Sequence, residues 1–267
     1  MNAAVRDKRL VAQSFSRAAQ TYDSVAGLQR SVADTLLAWL PDCLPDFGPQ
    51  VVLDLGSGTD YASPVLHERF PQALLLSLDL AEGMLRFARS HRQQARHLHI
   101  CGDAEALPLA DSSVDLIYSS LAVQWCEQPQ RLFAELRRVL KPGGRVLIAT
   151  LGPNTLSELK RAWARVDSDR HVNEFCPLAE LDSAALGLTA RRRSIEQRVL
   201  EYGQLGELMH ELKALGAHNV NPRQQQGLSG TSRLRALARA YEEQRLDNGA
   251  LPASYEVYYL EWMKDSA

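Results

Sequence analysis

"VVLDLGSGTDYAS", Val51 to Ser63, is the stretch whose reading decides the fold. Apolar residues lead into Asp54, Gly56 and Gly58 follow, and small residues open what a helix would continue. A strand entering a tight glycine turn and then a helix is how many α/β folds hold a nucleotide-like ligand. Glycine supplies the positive φ and the close backbone approach that such a turn requires. Asp54 ends an apolar strand, where an unpaired carboxylate is costly, so a hydrogen bond within the turn is expected. A plain strand-to-helix turn would use the same residues, and the flanking segments decide between the two.

Downstream the pattern alternates: strand 51–55, helix 62–70, strand 74–78, helix 81–92, strand 97–101, loop 102–112 and strand 114–118. A helix at 129–140, "KPGG" as a turn and a strand at 145–150 complete the series. Short apolar strands separated by helices predict a parallel sheet covered on both faces. Upstream, residues 8–40 space their apolar side chains at three and four, which predicts amphipathic helix with Gly27 as an interruption. Past residue 151 come helices at 154–165 and 177–186, an exposed strand at 189–202, a helix-rich insertion over 203–247 and a last strand at 254–263. The expected division is therefore a helical cap (1–48), an α/β core (49–202), a helical lid (203–250) and the core's final strand (251–267). A late insertion in an open α/β sheet tends to lie over the ligand crevice.

Composition, 45% hydrophobic and 23% charged, is that of an ordinary globular protein, and no apolar run approaches the roughly 20 residues of a membrane span. No secretory leader is read at the N-terminus, and Cys43, Cys101, Cys126 and Cys176 lack metal-ligand spacing, so a reduced, metal-free, cytoplasmic protein is expected. The net charge of −2 is uneven. Residues 1–30 carry five basic against two acidic side chains, and residues 189–245 carry ten against six, leaving the remainder at −9. A basic flank on an acidic core suits an acidic partner, and a solvated arginine-rich face would look the same. Nucleic acid is disfavoured, because the chain is acidic overall and its arginines lack interleaved aromatics.

Two more acidic residues fall at strand ends. Asp79 closes the second strand some 20 residues after the glycine turn, where a carboxylate accepts from both ribose hydroxyls. It would equally serve as a helix N-cap. Asp103 lies in the loop after the third strand, placed to accept from an adenine amino group or to close a turn. Three loops at the carboxyl ends of adjacent strands argue for one ligand site.

The ordered set Gly56-Ser57-Gly58-Thr59, Asp79, "GDAEALPL", "VDLIYSSLAVQW" and "LKPGGRVLIAT" resembles the class I S-adenosylmethionine (SAM)-dependent methyltransferases over residues 51–150. The resemblance implies a Rossmann-like, seven-stranded, mostly parallel sheet with an antiparallel last strand, and SAM held by Asp54, Gly56, Ser57, Gly58, Asp60, Asp79, Leu80, Asp103, Ala104 and Ser119. Further segments, among them "FSRAAQTYDSVAGLQRSVADTLL", "SSLAVQWCEQP", "HVNEF", "ELKALGAHNVN" and "LPASYEVYYLEW", look like the malonyl-acyl-carrier-protein O-methyltransferases of biotin synthesis. That likeness implies methyl esterification of a malonyl carboxylate carried on acyl carrier protein or coenzyme A. It also nominates Arg17, Tyr22, Gln124, Trp125, His171, Asn173, Lys213 and Asn219 as substrate contacts. A malonyl carboxylate is ionised at neutral pH, so no catalytic base is expected. Methylation of a carbon acceptor, such as a quinone ring, would call for one.

Asp60 departs from the family's GxGTG pattern, standing where its last glycine belongs. Its carboxylate is expected either to face the methionyl end of SAM or to cap the following helix, and in both cases to weaken cofactor binding. A catalytically weakened binder of SAM or of the carrier protein is the corresponding alternative.

Overall fold

The computed structural model describes residues 7–40, 48–92, 94–217 and 230–266. Seven strands form one sheet in the order β3-β2-β1-β4-β5-β7-β6. They are β1 (Val51–Leu55), β2 (Leu74–Asp79), β3 (His97–Cys101), β4 (Val114–Ser120), β5 (Leu140–Leu151), β6 (Thr189–Tyr202) and β7 (Leu251–Met263). The first five run parallel, and β7 is antiparallel to both β5 and β6. This is the sheet expected from the resemblance, with the last strand reversed.

Alternation along each strand divides the core. Val52, Leu75, Leu116 and Leu147 pack on one face, while Leu53, Leu76, Ile117 and Val146 pack on the other. The first face is covered by α2 (Gly27–Leu37), α3 (Ser63–Arg69), α6 (Ser157–Ala164), α8 (Leu205–Ala214) and α9 (Gly230–Glu242). The second is covered by α5 (Pro129–Val139) and α7 (Leu178–Ala184). Both sides of every central strand are thus dry, which explains why these strands read as apolar runs.

The expected helix over 8–40 is two, α1 (Lys8–Val25) and α2, broken at Ala26, where ψ turns to 40°. "KPGG" is a bulge rather than a turn. Pairing advances from Val114↔Leu140 to Leu116↔Arg145, so β5 runs unbroken while Gly143 and Gly144 bond to Lys264 alongside. A Cβ at Gly144 would stand 2.8 Å from the Lys141 carbonyl oxygen, so the close fold-back requires glycine. The exposed strand at 189–202 is the sheet edge β6, with arginines that protect it from pairing. Arg192 stacks over the Trp39 ring, 4.1 Å from its centroid, and Arg193 pairs with Asp182. No helix among the described residues is long and apolar enough to cross a membrane.

Candidate active site

A cleft of about 860 Å³, mouth included, opens at the carboxyl ends of β1, β2, β3 and β4. Its floor is the glycine turn. Gly56 has φ +72° and Gly58 +55°, and a Cβ on Gly56 would lie 2.1 Å from that of Ala122, so this position admits no side chain. The amides of Gly56 and Ser57 both donate to the Leu78 carbonyl, locking the turn to the end of β2. Asp79 holds it from the other side: one carboxylate oxygen accepts from Gly58 N (2.9 Å), the other from Ala81 N (2.7 Å). Both readings of Asp79 therefore meet in one group, a cleft-lining acceptor that also orders the backbone at the start of α4 (Glu82–His91). Burial pushes its pKa up to about 6, against the opposing pull of the Ala81 and Gly58 amides. Burial, then Asp60 and Asp79, likewise hold the Asp54 carboxyl well above the usual carboxylate range.

The wall after β3 is equally fixed. Asp103 accepts from Glu105 N at 2.9 Å, Glu105 accepts from Gln128 N at 2.6 Å, and Arg138 spans the Leu107 and Leu109 carbonyls. Leu80 and Ala104 line the cleft as expected.

The roof is α1. Val11, Ala12, Phe15 and Tyr22 face the cleft, and Phe15 meets Trp125 edge to face at 5.1 Å. Gly83 lets α1 settle onto α4, since a Cβ there would lie 2.7 Å from Ser16, whose hydroxyl accepts from Gly83 N. On its other flank the Ser14 hydroxyl donates to the Gly216 carbonyl. Roof and floor are joined by Asp23, which accepts from Thr59 Oγ1 at 2.6 Å and from Arg92 at 2.9 Å. Burial, with Asp79 and Asp23 nearby, pushes the Tyr22 phenol up.

The structure redistributes the remaining nominees. Arg17 lies exposed on the outer face of α1, 3.4 Å from Gln13. A five-residue step turns a helix by about 140°, so Tyr22 faces in and Arg17 out. Ser119 is buried and donates to the Leu55 carbonyl, stitching β4 to β1, and the next residue, Ser120, lines the cleft instead. Gln124 turns back onto the Leu121 carbonyl and Thr150, while Trp125 reaches the cleft. His171 is stacked on Trp163 at 3.5 Å and bonded to Asp167, in a cluster that Arg233 closes. Asn173 is buried, and Lys213 stands exposed on the last turn of α8. Asn219 lies outside the described residues, as does Cys43.

Ser57 is buried behind the turn, and Asp60 is turned away from the cleft altogether. Asp60 does not cap α3 either: that helix starts after Ala62 with no side-chain cap. Its carboxylate bonds His99 on β3 at 2.6 Å. Lys8, which sequence reasoning missed, lines the cleft and pairs with Asp103 at 2.6 Å and with Glu105. Its signal was the spacing of Lys8, Val11, Ala12, Phe15 and Tyr22 along one helical face.

A family described as a methyltransferase domain matches residues 53–148, the part of the chain that builds the floor. In overall shape the chain resembles the [4+2]-cyclase SpnF, with a TM-score of 0.64, 17% identity and full coverage of both chains. That likeness carries the fold alone, and a cyclase on this scaffold shows why. The biotin biosynthesis bifunctional protein BioHC of Cellvibrio japonicus is 53% identical over 95% of this chain and 50% of its own length. The chain thus spans about half the length of that relative and of another BioHC protein. The malonyl-[acyl-carrier protein] O-methyltransferase of Methylococcus capsulatus is 45% identical over 94% of this chain and 92% of its own. Identity at that level extends beyond the floor to the roof and the last strand, so the chain belongs to the malonyl-[acyl-carrier protein] O-methyltransferase family.

Proposed function

We propose that this chain transfers the methyl group of SAM to the free carboxylate of a malonyl thioester on acyl carrier protein, as a step toward biotin. The observation that carries this reading is the cleft itself. Asp79, Asp103 and the Gly56–Gly58 turn converge beneath an aromatic-lined helix, in a chain whose full-length relatives bear that activity in their names. The residues fit the cofactor. Asp79 offers carboxylate oxygens to a ribose diol, Leu80, Ala81 and Met84 offer an apolar wall to a base, and Asp103 offers an acceptor to its amino group. Bound SAM supplies an electrophilic methyl on a sulfonium sulfur.

What remains for the protein is orientation and dryness. The malonate oxygen already carries its electron pair at neutral pH, so attack on the methyl carbon needs no base. SAM held by Asp79 and Asp103 would supply the methyl group and take the displaced electron pair on its sulfur, giving a methyl ester and a neutral thioether. Holding oxygen, carbon and sulfur in line can contribute roughly 7–11 kcal/mol. Phe15, Tyr22 and Trp125 are the groups suited to exclude water. His171, the residue on which a carbon acceptor would have leaned for a base, is held by Asp167 and Arg233 and does not line the cleft. We take residues 1–48 as a cap and 203–250 as a lid segment, with α1 over the cleft and α8 and α9 packed on the first face of the sheet, in a cytoplasmic enzyme that acts on a carrier protein.

The direct test follows labelled methyl from SAM to malonyl-acyl carrier protein, with malonyl-coenzyme A and free malonate as competitors. Carrier-dependent formation of a base-labile methyl ester is the expected result. SAM binding without transfer to any malonyl thioester would overturn the acceptor assignment.

A further inference from the structure

We propose that His99 is a positioning residue for the cofactor turn: its hydrogen bond to Asp60 replaces the glycine of the family pattern and keeps the turn in its ligand-holding shape. The inference rests on the cleft being a SAM site. Residue 60 has φ +61°, a left-handed conformation that glycine adopts freely and a side-chain-bearing residue adopts at a cost. Its side chain then has to go somewhere. It is fully buried, on the side of the turn away from the cleft, and close enough to Asp54 and Asp79 to make their ionised forms costlier. A buried carboxylate in such company is tolerated only when donors meet it.

The donor is on β3. His97 and His99 point to the same side of that strand, and their rings lie 4.3 Å apart. His99 Nε2 stands 2.6 Å from Asp60 Oδ2, and His97 Nε2 stands 3.6 Å from the same oxygen. The nearer ring is the partner, because Ser77 Oγ engages His97 Nε2 at 2.8 Å and burial holds that imidazole toward its neutral form. Asp60 Oδ1 has no partner among the described residues, so the His99 bond is the main satisfaction this carboxylate has. Arg92 helps only through the backbone, donating to the Asp60 carbonyl at 3.2 Å while its other nitrogen holds Asp23. Losing His99 would leave a buried anion one residue past Thr59 and two past Gly58. The turn would then have to open toward water to solvate it.

This makes a prediction about background dependence that a general packing role does not share. SAM binding is measured by calorimetry on four forms: the unaltered chain, His99→Leu, Asp60→Gly and the double variant, with circular dichroism to establish folding. His99→Leu should weaken SAM about tenfold or more when Asp60 is present, and less than about twofold in the Asp60→Gly chain. In turnover assays the same variant should raise KM for SAM and leave kcat within about twofold, and His99→Gln, which still donates, should recover most of the loss. If His99→Leu fails to fold, His99→Asn, too short to reach Asp60, takes its place in the cycle. An equal loss in both backgrounds, or none in either, overturns the inference while leaving the SAM site intact. Failure of every folded form to bind SAM overturns the site reading, and the inference with it.

Discussion

The floor of the cleft is made of strand ends and the roof of a helix, and the two place their side chains by different rules. On the floor the backbone does most of the work. Gly56 and Ser57 hang from the Leu78 carbonyl, Gly58 hangs from Asp79, and a side chain at position 56 would collide with Ala122. On the roof the contacts are between side chains: Phe15 on Trp125, Lys8 on Asp103 and Glu105, Asp23 on Thr59 and Arg92. A backbone constraint has no substitute, whereas side-chain contacts are redundant. Substitutions should therefore damage the floor far more than the roof.

The largest effect is expected from Gly56→Ala. The 2.1 Å clash and the positive φ act together, so SAM binding should be lost and stability should fall by about 2–4 kcal/mol. Adding Ala122→Gly separates the two causes. It removes the atom struck and leaves only the conformational cost, about 1 kcal/mol. Thermal unfolding should show the double variant more stable than the single one. Equal stability of the two would mean that the collision does not set the loop's shape.

Asp79 gives the next effect, and pH reads it without a substitution. The ribose hydroxyls would donate to a carboxylate, so SAM should bind the ionised form. With its pKa near 6 in the free protein, affinity should fall about tenfold between pH 7 and pH 5 if the ligand holds the group ionised. The sign for folding is the reverse. A carboxyl raised from 3.8 to about 6 keeps its proton more tightly folded than unfolded, so its contribution to the free protein's stability declines as pH rises through that window. Asp79→Asn should flatten the binding profile between pH 5 and pH 7. A wild-type profile already flat there would place the ribose elsewhere.

The contrast between floor and roof also explains what could be read in the sequence. Strand ends are legible because period-2 alternation fixes which residues face the core, and the chain's exit from the sheet fixes the rest. Asp79, Asp103, Leu80 and Ala104 all line the cleft as expected. Ser119 failed by a single residue, since alternation puts neighbouring serines on opposite sides and nothing local says which. Asp60 was legible as an anomaly but not as a pair, because its partner lies 39 residues away on an edge strand. The roof was harder. Arg17 and His171 are attractive by chemistry, yet helical phase turns the first outward and Trp163 with Asp167 holds the second. "KPGG" carried a turn composition, and only its pairing with Lys264 beside β7 makes it a bulge.

Lys8 should show the smaller scale of roof effects. It satisfies Asp103 in the free protein, where the base's amino group is proposed to bind, and that ion pair is partly solvated at both ends, while Glu105 behind it is buried and also accepts from Gln128 N. Lys8→Met removes a competitor and loosens one end of α1, and these act in opposite directions on affinity. The SAM dissociation constant should therefore move within about threefold, while on- and off-rates in stopped-flow rise together. A loss beyond tenfold would make Lys8 part of the binding machinery rather than a strap across it.

Smallest of all should be the effect of Arg17→Ala, and its value lies in the pairing with Tyr22→Phe. The two residues are five apart on one helix and carry groups that could each hold a malonyl carboxylate. Only Tyr22 lines the cleft, its phenol buried beside Asp79 and Asp23, while the guanidinium of Arg17 contacts Gln13 in solvent. Arg17→Ala should leave kcat and KM within about 1.5-fold, the ordinary range for an exposed side chain. Tyr22→Phe should lower kcat/KM for the malonyl thioester by about tenfold, the cost of one hydrogen bond to a charged group. The reverse ranking is possible only if α1 rotates by about 140° when the cleft closes. That rotation would have to break the Ser14–Gly216 and Asp23–Thr59 bonds, so the pair of variants tests whether the roof moves as well as which side chain it presents.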